Sequence, residues 1–274
     1  MLPLLRTVSV ALLLAASLPL SGCGAVYPEL GTTISAMPAG VPVEPPPPEG
    51  RYYFEVVRAV VPARTRDGRD WVQAFGSLPD PYVKVFLEGK ELWRTSSVRD
   101  SLEPRFEGSP TGNIDFVLGS ELRIELWDAG ALNDHPIDHR KLRVQAEMID
   151  AAEQAVDLPA GGTVFIKLAP ARPVWGVGLW YDLRKSSAKL TRVLDGSPAW
   201  RAGLRKGDRV LAIDGRSTDA LGADDIRSRL NALPAAGLKL DVQHADGSTL
   251  QAVLKEGPMY IRRDEASFLP KDLR

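Results

Sequence analysis

The chain has 274 residues, 44% hydrophobic and 25% charged, with a formal net charge of −1. This balance suits soluble globular domains, about two of ordinary size, and with no basic tail it points away from a nucleic-acid partner. Cys23 is the single cysteine, so no disulfide can form within the chain and burial must hold its domains together.

At the N-terminus, Arg6 precedes an apolar run from Val8 to Leu20 that ends in Leu20-Ser21-Gly22-Cys23. The run is short for a membrane span, which needs roughly twenty residues, and small residues follow it as in a cleaved signal. The arrangement resembles a bacterial lipoprotein signal. That resemblance implies loss of residues 1–22, a lipid on Cys23 and attachment to a membrane of the bacterial cell envelope, outside the cytoplasm. Residues 23–50 lack periodicity and include Pro42-Val43-Glu44-Pro45-Pro46-Pro47-Pro48. Polyproline is stiff and rises ~3.1 Å per residue, so this segment reads as a tether lifting the next domain up to several tens of ångströms from the lipid.

Residues 51–170 carry strand signals. Tyr52 to Val61 is aromatic and β-branched, Tyr82 to Leu87 and Leu122 to Trp127 alternate, and Val164 to Leu168 follows a Gly161-Gly162 turn. Many short strands with few helix signals predict an antiparallel β-sandwich. Leu78-Pro79-Asp80-Pro81-Tyr82-Val83-Lys84-Val85, Thr95 to Val98, Leu102 to Phe106 and Leu122 to Asp128 together resemble a C2 domain. Members of the calcium-binding kind hold the ion between carboxylates on loops at one end of the sandwich, with positions left for lipid phosphate. The resemblance implies calcium at Asp80 and Asp128, with Asp134 as a third ligand and Asp67 or Asp70 from the earlier loop. Gly130 stands where the family has a further aspartate. Asn133 to His139 contains His135 and His139, whose spacing would suit zinc on a helix; Pro136 opposes a helix there, and a polar surface loop is expected.

From residue 171 the pattern changes to a mixture of strands and helices. Trp175 to Trp180 leads into a strand, Ala188 to Leu194 is a second, and Gly196-Ser197-Pro198-Ala199 opens a short helix. A strand at Arg209 to Ile213, a helix near Ala223 to Leu233, and strands at Leu238 to His244 and Leu250 to Leu254 complete an α+β unit. Gly176-Val177-Gly178-Leu179, Gly196 to Ala199, Ala202 to Asp208 and Ile213-Asp214-Gly215 resemble a bacterial-type PDZ domain, expected over 171–263, with a tail at 264–274. Glycines at 176 and 178 allow backbone angles closed to other residues, so the N–H groups of Val177, Gly178 and Leu179 can converge on a carboxylate. A peptide then adds antiparallel to the strand from Leu179, against a wall of Leu179, Ile226 and Leu230. Pro258 to Arg262 is expected to fill the place of the domain's first strand.

His135, His139 and His244 are the candidate bases; none lies in a triad-like motif and no Gly-x-Ser-x-Gly elbow occurs. Ser109 and Ser197 sit beside prolines in turn-like sequence. The expected protein is therefore mainly β, without catalysis: a lipid-anchored envelope scaffold whose PDZ groove takes protein C-termini or extended peptides. The C2-like loops would contact membrane or protein. A calcium- or phospholipid-responsive adaptor and an accessory regulator of an envelope protease are the alternatives.

Overall fold

The computed structural model describes residues 29–30, 34–71, 78–107, 111–130, 132–184, 186–270 and 273. The signal at 1–22, Cys23 and Ser109 lie outside them. Among the described residues strands make up 45% and helix 12%, a mainly β protein.

Two short strands, β1 (Glu29–Leu30) and β2 (Ser35–Ala36), come from the segment read as a spacer. Next come β3 (Arg51–Val60), β4 (Pro81–Leu87), β5 (Lys90–Arg94), β6 (Gly112–Asp115), β7 (Glu121–Asp128), β8 (His135–Arg143), β9 (Asp150–Asp157) and β10 (Thr163–Pro170). These eight form the expected sandwich, two antiparallel sheets in the orders β6-β3-β10-β9 and β5-β4-β7-β8. Alternation decides which side chains face inward. Val83 and Val85 are buried while Lys84 between them sets its ammonium 3.5 Å from the centre of the Trp127 ring. Leu122, Ile124 and Leu126 of β7 meet Phe54, Val56, Val164, Ile166 and Leu168 of the facing sheet in one core. Each such side chain stabilises the fold by roughly 1.5–3 kcal/mol. Ala59 and Val61 donate backbone N–H groups to the carbonyls of Pro104 and Leu102 at 3.0 and 2.8 Å, so the 102–106 segment lies along β3.

The second domain contains β11 (Val174–Gly176), β12 (Leu179–Arg184), β13 (Ser187–Val193), α1 (Pro198–Arg201), β14 (Arg209–Ile213), β15 (Arg216–Ser217), α2 (Ala223–Asn231), β16 (Leu238–Gln243), β17 (Thr249–Leu254) and β18 (Gly257–Met259). Its main sheet runs β12-β13-β14-β16-β17, with β15 on β14. Ser197 caps α1 by accepting the Trp200 N–H at 3.2 Å, with Pro198 at the first helical position, as its Gly-Ser-Pro-Ala opening requires. In α2, Asp224 and Asp225 occupy the first turn and Arg229 the last, matching the helix dipole. β18 pairs antiparallel with β11, so a C-terminal strand does take the first strand's place, beginning one residue earlier and ending sooner than expected.

Three departures from the sequence reading share one cause. The start of the segment read as a tail is docked: a 3₁₀ turn over Arg263–Phe268 places Ala266 and Leu269 in a third apolar cluster with Ile34, Leu194, Met259 and Ile261. The described part of the segment read as a tether is docked as well: β2 pairs with β11, and the Pro45 carbonyl accepts the Tyr260 hydroxyl at 3.2 Å. The proline-rich stretch thus joins the second domain's edge to β3. Finally, the domains are docked. Buried Asn113 donates to the carbonyls of Arg172 (2.8 Å) and Ile261 (3.0 Å) and accepts the Arg172 N–H at 2.8 Å. Arg51 donates to the Tyr260 carbonyl at 2.7 Å while pairing with Asp115. In all three the partners are backbone groups or scattered apolar residues far apart in sequence, which periodicity does not reveal.

Candidate functional site

The turn from β11 to β12 is Val177-Gly178. Gly178 has φ +74°, and a Cβ built there would lie 2.5 Å from Ser197 Cβ, so both backbone angle and close approach require glycine. Gly176 differs from expectation: its φ is not in the left-handed region, and what limits it is space, since its Cβ would lie 2.9 Å from Met259 Cε and 3.5 Å from Ile34 Cγ1. The Val177 and Gly178 carbonyls accept N–H groups of Ala199 (3.0 Å) and Leu194 (2.9 Å). Because the C=O and N–H of a trans peptide unit point opposite ways, the N–H groups of Gly178 and Leu179 are turned from those partners.

Leu179, Ile226 and Leu230 come together as the sequence reading requires, in one cluster with Val177 and Tyr181. Each has 0% of its surface exposed, however, so the wall is closed to solvent. The Tyr181 hydroxyl donates to Asn231 Oδ1 at 3.1 Å and ties β12 to the end of α2. The outer edge of β12, where a peptide would add, carries β1: Glu29 lies opposite Tyr181 and Leu30 opposite Trp180, antiparallel. Sequence reasoning missed this strand. Its one trace is the β-branched run Thr32-Thr33-Ile34 within a segment otherwise without pattern.

At the loop end of the sandwich, the five carboxylates expected to hold calcium each accept from a neighbouring protein group. Asp128, buried, accepts the Asp80 N–H at 2.7 Å, and Asp80 Oδ1 accepts the Asp100 N–H at 2.9 Å. Asp134 accepts the Tyr82 hydroxyl at 2.7 Å; burial first and that carboxylate second push the Tyr82 hydroxyl well above its ordinary range. Asp67 accepts from Thr65 Oγ1 at 2.6 Å and from the Arg69 guanidinium, and the two together hold its carboxyl below the usual carboxylate range. Asp70 pairs with Arg64 at 3.2 Å. A side chain at Gly130 has no room, because its Cβ would lie 2.0 Å from the Asn133 carbonyl oxygen. Among the described residues no group of three or more His, Cys, Asp or Glu stands where it could share a metal ion. In this arrangement one oxygen each of Asp80, Asp134 and Asp70 faces an N–H, O–H or guanidinium donor, as do Oδ1 of Asp128 and both oxygens of Asp67.

These loops border a cleft of about 1040 Å³ that includes Asp67, Trp71, Asp128, His135 and His139, with Leu132 at its rim 94% exposed. The 135–139 stretch is not the polar loop expected but the start of β8, an edge strand, where Pro136 costs no interior ladder bond. His244 Nδ1 lies 2.9 Å from buried Asp208, which also accepts the Arg205 N–H at 2.7 Å. Ser197 is occupied as a helix cap.

Comparison with known proteins agrees with this geometry. A C2 domain family model matches residues 55–158, and a PDZ domain family model matches residues 190–243, beginning after the 176–179 turn. No curated protein matches the chain. Among solved structures, a C2 domain is similar at 19% identity, covering 43% of this chain and 96% of that one, with a TM-score of 0.34. A C2 domain of plant Extended Synaptotagmin 1 is similar at 20% identity, covering 45% and 95%, with a TM-score of 0.35. The calcium-bound pair of C2 domains of Extended-Synaptotagmin 2 is similar at 18% identity, covering 47% and 48%, with a TM-score of 0.33. With its eight-stranded sandwich and the α+β unit beyond it, the chain carries a C2 domain followed by a PDZ domain.

Proposed function

We propose that this protein is a lipid-anchored adaptor of the bacterial cell envelope, held through Cys23, whose PDZ domain binds protein C-termini or extended peptides and which performs no catalysis. One observation carries the peptide reading. The outer edge of β12, beside α2, already accepts an antiparallel strand in the position that strand addition uses, with main-chain bonds giving affinity and alternate side chains specificity. The Gly178 turn supports a carboxylate at the end of that edge, since Gly178 and Leu179 turn their N–H groups from the protein partners of the neighbouring carbonyls. The exposed Leu132 beside the loop cleft supports contact of the C2 domain with a membrane or protein surface.

The test is a titration of the full chain carrying Cys23→Ser with fluorescent decapeptides ending in an apolar residue, as free carboxylates and as amides. Saturable binding is expected, and amidation should weaken carboxylate-directed binding roughly ten- to hundredfold, the worth of a charge-assisted hydrogen bond. No binding of either form by a chain with an open β12 edge would remove the peptide-binding reading. For the anchor, Cys23→Ala should move the protein from the membrane fraction to the soluble one; equal membrane retention would overturn it.

A further inference from the structure

We infer that β1, with β2 beyond it, is an intramolecular ligand of this chain's own PDZ domain. The inference rests on the groove reading above and specifies who occupies the groove at rest.

The register carries the argument. In β1, Glu29 faces Tyr181 and Leu30 faces Trp180; in β2, Ser35 faces Trp175 and Ala36 faces Val174. The residue numbers of the partners add to 210 in all four pairs. The two described strands therefore keep the same antiparallel count, β1 on β12 to one side of the Val177-Gly178 turn and β2 on β11 to the other. From Glu29 to Leu30 the chain advances toward that turn, the direction in which strand addition presents a C-terminus to it. It does not end there. Ile34 is buried at the turn, within van der Waals distance of where a Gly176 Cβ would stand, and packs with Met259, Leu194 and Ile261. The segment is held at both ends of the turn, by β12 before it and by β11 and the third apolar cluster after it.

A strand resident on the same chain competes at an effective concentration in the millimolar range and lowers the apparent affinity for an outside peptide by the fraction of time the edge is free. Position in the chain gives the device its use. Glu29 stands only six positions beyond Cys23, about 20 Å when extended. With Cys23 in a membrane, docked β1 holds the PDZ domain against the anchor, and its release hands that length to the tether while opening the edge to a partner.

The experiment uses the full chain with Cys23→Ser. Leu30→Cys with Trp180→Cys places two thiols across one antiparallel pair, where Cα atoms lie roughly 4.5–5.5 Å apart, within disulfide reach. Leu30→Cys with Arg184→Cys sets them about 13 Å further along the strand and is the control. Mild oxidation is expected to close an intramolecular disulfide in the first variant and not in the control; no bond, or equal bonding in both, overturns the inference. Independently, Glu29→Pro with Leu30→Pro removes the ladder donors of β1. A labelled peptide spanning Tyr27 to Pro38 should bind this opened chain at least tenfold more tightly than the parent and not bind the oxidised pair. Equal affinity for parent and opened chains overturns the inference. Failure of the groove reading is separable: foreign apolar peptides would fail on the opened chain although the register-specific disulfide forms.

Discussion

Gly178→Ala tests whether the turn at the head of the groove is built as described. An alanine at φ +74° occupies the left-handed region, which costs about 1–2 kcal/mol. Gly196 has nearly the same angle, φ +71°, but a Cβ there meets nothing within 4 Å. Gly196→Ala therefore measures the conformational cost alone, about 1–2 kcal/mol. At position 178 the new Cβ would sit 2.5 Å from Ser197 Cβ, 2.8 Å from its Oγ and 2.9 Å from Met259 Sδ. Met259 can swing its end away; Ser197 cannot without surrendering the cap on α1, worth about 1 kcal/mol, and overpacking adds about 1–3 kcal/mol. The expected loss for Gly178→Ala is about 3–6 kcal/mol, about three times that for Gly196→Ala. Urea unfolding followed by tryptophan fluorescence would measure both, and at about 2–4 °C per kcal/mol the melting temperatures should separate clearly. Equal losses at the two glycines would refute the close approach to Ser197.

Asn113→Ala leaves the Arg172 N–H and the Arg172 and Ile261 carbonyls without their partner, each costing about 1–3 kcal/mol if it stays buried, so thermal unfolding should fall and split into separate C2 and PDZ transitions; one unchanged transition would refute the docking role. The raised Tyr82 hydroxyl stays protonated in the folded chain at pH values where the unfolded chain has begun to lose its proton, near 10. The unfolded state then binds fewer protons, and stability present below that pH is lost as pH rises above it. Tyr82→Phe should flatten this alkaline decline in urea titrations, and an identical slope would refute the assignment. Millimolar calcium should leave the melting temperature unchanged, whereas a rise abolished by Asp80→Asn with Asp128→Asn would show the loops rearranging around the ion.

The sequence alone carried the plan of both domains, for a physical reason. Alternation at Val83-Lys84-Val85 and Leu122 to Leu126 states which face of each strand is apolar, and a sandwich is the arrangement that buries such faces. Gly196-Ser197-Pro198-Ala199 is a helix start whose cap and N1 proline act within four residues, so it too was legible locally. Leu179, Ile226 and Leu230 meet in one apolar cluster because the order of strands and helices sets which faces meet.

Only the tertiary structure decided the rest. The Gly130 turn leaves no room for a further carboxylate, and whether Asp80, Asp128 and Asp134 face an ion or one another's loops depends on loop paths that residue types do not specify. Asn113 joins the domains through backbone groups at 172 and 261, and any residue presents those groups. Strands β1 and β2 find partners about 140 to 150 positions away by main-chain pairing, which any extended segment can offer an open sheet edge, so their side-chain pattern had no need to announce them.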